Sequence, residues 1–446
     1  MWAYPFEFRP PPTAEKDIKF LVKWCEKLGV NKVFFAVRRG IYSFHESKIL
    51  PQNPQFKGFN LLGKIVKSLH DIGVEAHGMV VVSPWVNLRE KVPSDIDPCP
   101  PFLRRRDWLP VDRYGFREDE APFFGRTYDL DIGQEEVRQF IAEYVRDLIE
   151  AVPELDGIHL DFIRYRYWKS TLKIIAGPGS EFRRIPPSPA FIKMTLSRRL
   201  LNEEEGLKLA YKIMDVRNAG GPPFKETEII LEREYLYCFC EKCLKNFTDK
   251  TGIEFPENLK TTDEKSSWLL EKHKEALIKF RIDNVTDQVR KVRKVMDEEG
   301  FNKPLSAATF ARFPPHGTTD TKPPSEEDYD KILYTIAQDW TSWAREKLLD
   351  FAAPMLYWMP PQNILVATLI LKKRIGKDFP LYPGILTADN YKYKPKWLLE
   401  AAELLKENNI EGLTLFRYGT WCERVRRNLG MKPIYRYEKT IKRIKE

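Results

Sequence analysis

The chain has 446 residues, which is enough for one large α/β domain with insertions or for two domains. Hydrophobic residues make up 43% and charged residues 31%, as in an ordinary soluble globular protein, and the sequence contains no apolar run of about 18 residues, which excludes a predicted membrane span. The net charge is +9, but Lys and Arg are interleaved with 64 acidic residues, which favours a solvated mixed-charge surface over a nucleic-acid-binding face.

Short apolar runs alternate with amphipathic helices from the start of the sequence. Strands are predicted at residues 2–8, 32–37, 74–82, a segment ending at 161, 305–310, 351–358, 381–386 and 412–418. Helices are predicted between them, with apolar stripes at residues 18–28, 61–72, 137–148, 340–348, 362–375 and 397–406. Eight strands that alternate with helices predict an α/β fold, the (β/α)8 TIM barrel. A doubly wound open sheet is the alternative, but no glycine-rich phosphate loop follows the first strand.

Two stretches are longer than barrel connections need to be. They follow the third and fourth strands, at residues 87–124 and 166–255. Because active-site loops leave the carboxyl ends of barrel strands, we expect the two insertions to form a subdomain over the barrel mouth. The barrel itself is predicted to span residues 1–430, followed by a basic tail at 431–446.

The fourth strand carries the most informative residue of the sequence. Ile158 and Leu160 alternate with His159 and Asp161, so that one face of the strand is apolar and the other ends on a carboxylate. A carboxylate at the carboxyl end of a barrel strand is costly to bury and contributes little to a scaffold. Asp161 is therefore predicted to be catalytic. The alternative is a structural carboxylate that holds Arg38 or Arg164.

Several sequence segments, taken together, resemble a known family. They are Val33–Arg38 with Ser47–Pro51, Leu130–Arg138, Gly157–Tyr165, and Gln338–Trp340 with Asp350–Tyr357. These resemble the glycosyl-hydrolase-like family 10, a TIM-barrel group that includes bacterial enzymes cutting the glycan strands of peptidoglycan. The chain departs from that pattern at Arg166, where the family usually has proline. The resemblance implies a barrel that acts on a glycan.

Glycoside hydrolysis normally needs two carboxyl groups that flank the scissile bond. Asp161 is the first candidate and Asp339, at a predicted helix start, is the second; the alternative role for Asp339 is a favourable charge at that helix terminus. Glu234, Asp389 and Glu423 are weaker candidates.

Residues at or just past strand ends are predicted to bind the substrate. Aromatic faces stack on sugar rings, and arginine can orient a carboxylate or bind a hydroxyl group. The predicted substrate-binding residues are Arg38, Trp85, Arg164, Tyr165, Tyr357, Trp358 and Trp421.

The cysteines of the second insertion form the strongest local motif. Cys238, Cys240 and Cys243 are spaced so that three thiolates can surround one metal ion, and sulfur favours zinc. Cys99, in the first insertion, is the candidate fourth ligand. This pairing resembles the structural zinc site of the thermophile β-galactosidases, which implies a structural rather than a catalytic metal. The alternative is that these are ordinary reduced or disulfide-paired cysteines.

The sequence thus predicts a glycoside hydrolase with a carbohydrate substrate, a structural zinc ion and no organic cofactor. A non-catalytic carbohydrate-binding barrel and a nucleic-acid-binding zinc protein are the alternatives, and salt-sensitive DNA binding would identify the latter. No signal-peptide pattern appears at the start, and six cysteines are too few for a disulfide scaffold, so a cytoplasmic protein without a membrane partner is expected. Abundant Lys, Arg and Glu with 33 prolines suit a thermophile.

Overall fold

The computed structural model describes residues 1–83, 85–87, 95–115, 117–118, 127–176, 227–311, 325–357, 359–387 and 395–420. The chain divides into two compact units. The first comprises Met1–Trp108, Gly125–Tyr165 and Ile278–Glu446, and the second comprises Leu109–Phe124 and Arg166–Leu277. Within the described ranges, none of the helices has the length and apolar character needed to cross a membrane. The predicted basic tail lies outside these ranges.

The first unit is a TIM barrel, as predicted. Its eight strands are β1 (Trp2–Ala3), β2 (Lys32–Ala36), β3 (Glu75–Val81), β4 (Gly157–Asp161), β5 (Leu305–Phe310), β6 (Phe351–Met355), β7 (Gly384–Leu386) and β8 (Thr414–Phe416). They follow one another in chain order in a single sheet, and every neighbouring pair is parallel. Because all eight strands are parallel, their carboxyl ends meet at one mouth of the barrel.

Ten helices of four or more residues are present among the described residues. They are α1 (Ala14–Leu28), α2 (Leu61–His70), α3 (Glu135–Ala151), α4 (Glu241–Thr251), α5 (Thr262–Lys272), α6 (Lys274–Glu298), α7 (Glu326–Ile336), α8 (Trp340–Arg345), α9 (Pro361–Ile375) and α10 (Pro395–Glu407). The apolar stripes predicted α1, α2, α3, α9 and α10, whereas α4 to α7 were not assigned from the sequence. The predicted helix at 340–348 is shorter, since α8 ends at Arg345.

Two predicted strands are much shorter in the structure. The segment predicted as a strand at 2–8 forms a strand only over β1, because Pro5 begins a short 3-10 helix, Pro5–Glu7. Proline lacks the backbone N–H that a central strand must donate, so it ends the ladder here. The strand predicted at 412–418 is limited to β8, which is followed by another 3-10 turn at Tyr418–Thr420. Both shortened strands lead into turns at the barrel mouth.

The interior of the barrel fixes the direction in which β4 faces. Trp2 Nε1 donates a hydrogen bond to His159 Nε2 at 3.0 Å, so the His159 ring must carry its proton on Nδ1, which lies 2.9 Å from Ser306 Oγ. The same imidazole stacks on the Phe34 ring at 4.1 Å between centroids. His159 therefore points at the barrel axis. Asp161 is two residues further along β4, so it lies on the same face, at the mouth.

A glycine on β7 leaves room for the Trp2 ring at the barrel axis. A Cβ atom at Gly384, on β7, would lie 2.7 Å from the Trp2 ring, which is closer than real Cβ contacts allow. The large indole of β1 can thus occupy the axis only because β7 has no side chain at that level.

The second unit contains a long antiparallel pair of strands. Two ten-residue strands, Tyr167–Ala176 and Thr227–Leu236, pair antiparallel, and α4 and α5 follow them. This unit contains Leu109–Phe124 and extends to Leu277, whereas the insertions were predicted at 87–124 and 166–255. Its predicted place over the barrel mouth stays a prediction.

Candidate active site

Asp161 ends β4 at the barrel mouth. Its side chain is 4% exposed, and its Oδ1 accepts a hydrogen bond from the Phe162 backbone N–H at 2.8 Å. Phe162 has a φ of +55°, a left-handed conformation that costs a non-glycine residue about 1 kcal/mol or more. The chain therefore turns sharply directly after Asp161, and the Phe162 side chain is 38% exposed.

Burial raises the pKa of the Asp161 carboxyl from 3.8 to about 6. The positive charge of Arg164, the Phe162 N–H and a hydrogen bond from the Tyr4 hydroxyl each lower it in part. A carboxyl group with a pKa of about 6 can hold a proton near neutral pH and can also release it. This is the property that a general acid in a glycosidase requires.

Tyr4 and Glu7 belong to this site, although neither was predicted from the sequence. The Tyr4 hydroxyl donates a hydrogen bond to the Asp161 carboxylate. Glu7 is completely buried and accepts hydrogen bonds from the backbone N–H groups of Tyr4 and Gly419, each at 2.8 Å. Its Oε1 also lies 3.2 Å from Arg417 Nε.

Burial raises the pKa of Glu7 to about 7, and Arg417 with the two N–H groups opposes that rise. One sequence signal could have pointed to Glu7. It is an acidic residue between Phe6 and Phe8 in a segment predicted to be a buried strand.

Two exposed phenylalanines stand at this mouth. Phe6 and Phe162, each 38% exposed, follow β1 and β4, and they are the exposed large aromatic residues among those described. The Phe6 ring stacks on Tyr4 at 5.4 Å between centroids, and the Arg417 guanidinium lies 4.9 Å from its centre. Arg164 lies 4.4 Å from the centre of the Phe162 ring. These rings offer apolar faces beside Asp161, which sugar rings can stack on.

Arg38 and Trp85 are placed differently from the prediction. The Arg38 guanidinium lies 3.5 Å from the centre of the Trp85 ring and donates to the carbonyl groups of Gly40 and Val81. Burial lowers the pKa of Arg38 to about 10. Trp85 is 0% exposed and packs against the rings of Phe102, Phe140 and Tyr144. Both side chains are core residues here, since protein atoms cover the indole that was predicted to stack on a sugar.

Two of the remaining predicted residues, Arg164 and Tyr357, interact with Asp161. Arg164 lowers the pKa of Asp161 by its charge. Tyr357 is buried, and burial, with Tyr4 and Asp161 nearby, raises its pKa well above 10. Tyr165 is buried, and its hydroxyl accepts a hydrogen bond from Asn284 Nδ2 at 3.3 Å. Trp358 and Trp421 lie outside the described residues.

Asp339 begins α8, as the alternative role predicted. Its Oδ2 accepts from Ser342 Oγ at 2.7 Å, and its Oδ1 lies 3.3 Å from the Ser342 backbone N and the Tyr329 hydroxyl. Oδ1 therefore caps the helix, and Oδ2 binds the Ser342 side chain. Its predicted catalytic role stays a prediction. Among the weaker candidates, Asp389 and Glu423 and the side chain of Glu234 lie outside what the structure describes.

The three clustered cysteines lie together in the second unit. Their Sγ atoms are all within 4.8 Å of one another, and Cys238 and Cys243 are buried. The backbone N–H groups of Val111, Cys240 and Cys243 donate to sulfur atoms of the cluster at 3.3–3.4 Å. Such donors stabilise thiolates, so the donor set suits a thiophilic metal. Cys99 is a free cysteine of the first unit and is not part of this group of ligand atoms, and its predicted part in the site stays a prediction.

No protein-family model and no curated protein sequence matches the chain. Solved structures with a similar fold include α-L-fucosidase isoenzyme 2 from Paenibacillus thiaminolyticus, at 13% identity, covering 96% of this chain and 45% of that one, with a TM-score of 0.48. They also include Gan42B, a GH42 β-galactosidase from G. stearothermophilus, at 12% identity, 97% and 54% coverage, and a TM-score of 0.49. A third is the endo-β-1,4-mannanase from Thermotoga petrophila, at 9% identity, 99% and 75% coverage, and a TM-score of 0.45.

The chain spans only 45% and 54% of the length of the first two of these proteins. The TIM barrel is shown by the strand order of the first unit. The resemblance to glycosyl-hydrolase-like family 10 accordingly stays an expectation.

Proposed function

We propose that the protein is a glycoside hydrolase that acts on an oligo- or polysaccharide, with Asp161 as its general acid. The observation that carries the proposal is a buried carboxyl at the barrel mouth whose pKa is raised to about 6. A protonated Asp161 would donate its proton to the glycosidic oxygen as the bond to the anomeric carbon breaks. Phe6 and Phe162 would stack on sugar rings, and Arg164 would stabilise the carboxylate that remains.

The hydrolysis also needs a second carboxyl group to activate water or to attack the sugar. Asp339 remains the candidate from the sequence. Its capping bonds to Ser342 hold it in one orientation, which a catalytic carboxylate also needs, but they occupy both of its oxygen atoms.

The test is reducing-sugar release from a panel of oligosaccharides by the wild type and by Asp161→Asn. We expect the asparagine variant to lose on the order of 10³-fold of the activity or more, since it keeps the shape and removes the acid. Asp156→Asn is a matched control, because Asp156 precedes the same strand at the opposite end of the barrel and binds His70 Nε2 and the Ala76 N–H, each at 2.7 Å. Equal turnover by wild type and Asp161→Asn would refute the proposal. Asp339→Asn in the same assay tests the second carboxyl.

A non-catalytic carbohydrate-binding barrel is the second candidate, and the commitment of Asp339 to helix capping favours it. In that case the wild type would bind an oligosaccharide in calorimetry without releasing reducing ends. Replacing Phe6 with alanine would then weaken binding, while Asp161→Asn would leave turnover at the same background level as the wild type.

We further propose that Cys238, Cys240 and Cys243 hold a structural zinc ion, with Cys99 as the fourth ligand. Four thiolates complete the tetrahedron of Zn²⁺ and leave it no open position for catalysis, so the ion would only hold the loops in place. Elemental analysis of protein purified without chelator should give about one zinc per chain, and a Cys243→Ser variant should lose it. A Cys99→Ser variant that keeps full zinc occupancy would contradict the fourth ligand alone.

A further inference from the structure

The loops that follow β1 and β8 are joined by the side chain of Glu7. β1 and β8 are the two end strands of the sheet order. Glu7 Oε2 accepts the Tyr4 N–H, just past β1, and Oε1 accepts the Gly419 N–H and lies beside Arg417 Nε, just past β8. A single buried carboxylate thus takes three donors from both sides of the strand junction.

The fit around this carboxylate is tight. A Cβ atom at Gly419 would lie 2.2 Å from Glu7 Oε1, so any larger residue would displace the carboxylate. Gly419 is not among the residues with a positive φ, so its lack of a side chain serves this approach and not an unusual backbone conformation. Arg417 also covers the neighbouring rings, at 5.7 Å from Tyr4 and 4.9 Å from Phe6.

Tyr4 connects this bridge to Asp161. Its backbone N–H binds Glu7 while its hydroxyl binds the Asp161 carboxylate. Its ring is held between Phe6, stacked at 5.4 Å, and the edge of Phe416 at 6.3 Å. Among the described residues, the groups that face Asp161 are Arg164 and the Phe162 N–H from its own strand end, Tyr4 from just past β1, and Tyr357 from the β6 end.

We propose that Tyr4 is the positioning residue of Asp161, and that Glu7 and Arg417 hold Tyr4 in place by bridging the ends of β1 and β8. Tyr4 donates a hydrogen bond to the ionised carboxyl and so stabilises that form. The Glu7 bridge sets the position of the Tyr4 backbone and, through it, the reach of the hydroxyl. The role of Asp161 as the acid rests on the proposed function, but the contact between Tyr4 and Asp161 does not.

The experiment measures the pKa of Asp161 directly, by titrating its carboxyl carbon in NMR spectra that are assigned by comparison with Asp161→Asn. Tyr4→Phe removes only the hydroxyl, and we expect the pKa of Asp161 to rise by roughly 0.5–1 unit, because one hydrogen bond to the charged form is lost. Tyr329→Phe is the matched control, since it removes a buried hydroxyl that binds a different aspartate, Asp339. An unchanged pKa in Tyr4→Phe would overturn the positioning role.

Glu7→Gln tests the bridge, because glutamine offers one oxygen to donors that now share two. If Glu7 positions Tyr4, the pKa of Asp161 rises in this variant as it does in Tyr4→Phe. Because the pKa of Glu7 is about 7, Glu7 is mostly protonated where Asp161 titrates, and any negative charge that is lost would lower the pKa of Asp161. A fall or no change in the pKa of Asp161 would therefore overturn the bridge. If Glu7→Gln does not fold, Gly419→Ala keeps the charge and displaces the carboxylate, and the same rise is expected.

The two proposals fail in different ways. If Tyr4→Phe shifts the pKa of Asp161 but Asp161→Asn leaves glycan turnover unchanged, the positioning contact stands and the glycosidase assignment falls. If Asp161→Asn abolishes turnover but Tyr4→Phe leaves both the pKa of Asp161 and the pH profile of turnover unchanged, the glycosidase assignment stands and the positioning role falls.

Discussion

Replacing Asp161 with asparagine should stabilise the folded protein above neutral pH, even where it removes activity. Raising the pKa of this carboxyl from 3.8 to about 6 makes its ionisation in the folded protein about 3 kcal/mol more costly than in the unfolded chain. Below about pH 3 the carboxyl is protonated in both states and costs nothing. As the pH rises from about 4 to about 6, the carboxyl ionises first in the unfolded chain. The free energy of unfolding of the wild type therefore falls by the cost of ionising Asp161 in the folded protein.

Asparagine does not titrate, so the free energy of unfolding of Asp161→Asn, minus that of the wild type, should increase by about 3 kcal/mol between about pH 3 and pH 7 and then level off. Its amide oxygen can still accept the Phe162 N–H or the Tyr4 hydroxyl, and the loss of the other bond lowers stability by about 1 kcal/mol at every pH. The slope with pH, and not the offset, is therefore the informative quantity. Urea denaturation followed by tryptophan fluorescence at a series of pH values measures it.

Glu75→Gln provides a control of opposite sign. The hydrogen bond from His77, together with Lys32, lowers the pKa of Glu75 to about 2, so its charge contributes stability above pH 4.5 that is lost as the pH falls toward 2. The free energy of unfolding of Glu75→Gln, minus that of the wild type, should therefore become more negative as the pH rises from about 2 to about 4.5. A difference for Asp161→Asn that stays constant or decreases between pH 4 and 6.5 would refute the reasoning about its burial.

Three other outcomes are expected. Gly157→Ala should destabilise the barrel by about 2 kcal/mol in urea denaturation, because its Cβ would lie 2.4 Å from His77 Nδ1, whereas Gly412→Ala, with its nearest neighbour at 3.5 Å, should cost much less. Trp2→Phe should lower the free energy of unfolding by about 2 kcal/mol or more, since it removes the Nε1 bond to His159 and leaves a void in the core. An unchanged urea midpoint would contradict the packing of Trp2 against His159. A strong chelator should lower the melting temperature of the wild type in calorimetry but not that of Cys243→Ser, and equal melting curves with and without chelator would argue against a bound metal.

The features that the sequence predicted are those that depend on neighbouring residues. The alternation in β4 placed His159 and Asp161 on the axial face, because the side-chain period of a strand is a local property. The order of strands and helices similarly predicted the barrel, since successive βα units pack beside one another.

The features that the sequence did not predict depend on distant contacts. Trp85 follows a strand end as a sugar platform would, but its burial is decided by Phe140 of α3 and by Arg38, which no local pattern reveals. The partner of Glu7 could not be predicted from a local pattern either, because the Gly419 N–H that it binds is 412 residues away. A buried acid in an apolar run signals that a partner must exist, but it does not say where the partner is.

The Glu7 contact also has a consequence for the order in which the barrel assembles during synthesis. Its donors near Gly419 leave the ribosome long after Glu7 does, and β1 and β8, at two and three residues, have few backbone hydrogen bonds of their own. The inner strands can pair with close neighbours, while this junction must wait for a loop closure that spans nearly the whole described chain. The junction should therefore form last and open first, so that native-state hydrogen exchange at Ala3 and Leu415 would be faster than at the centre of β3.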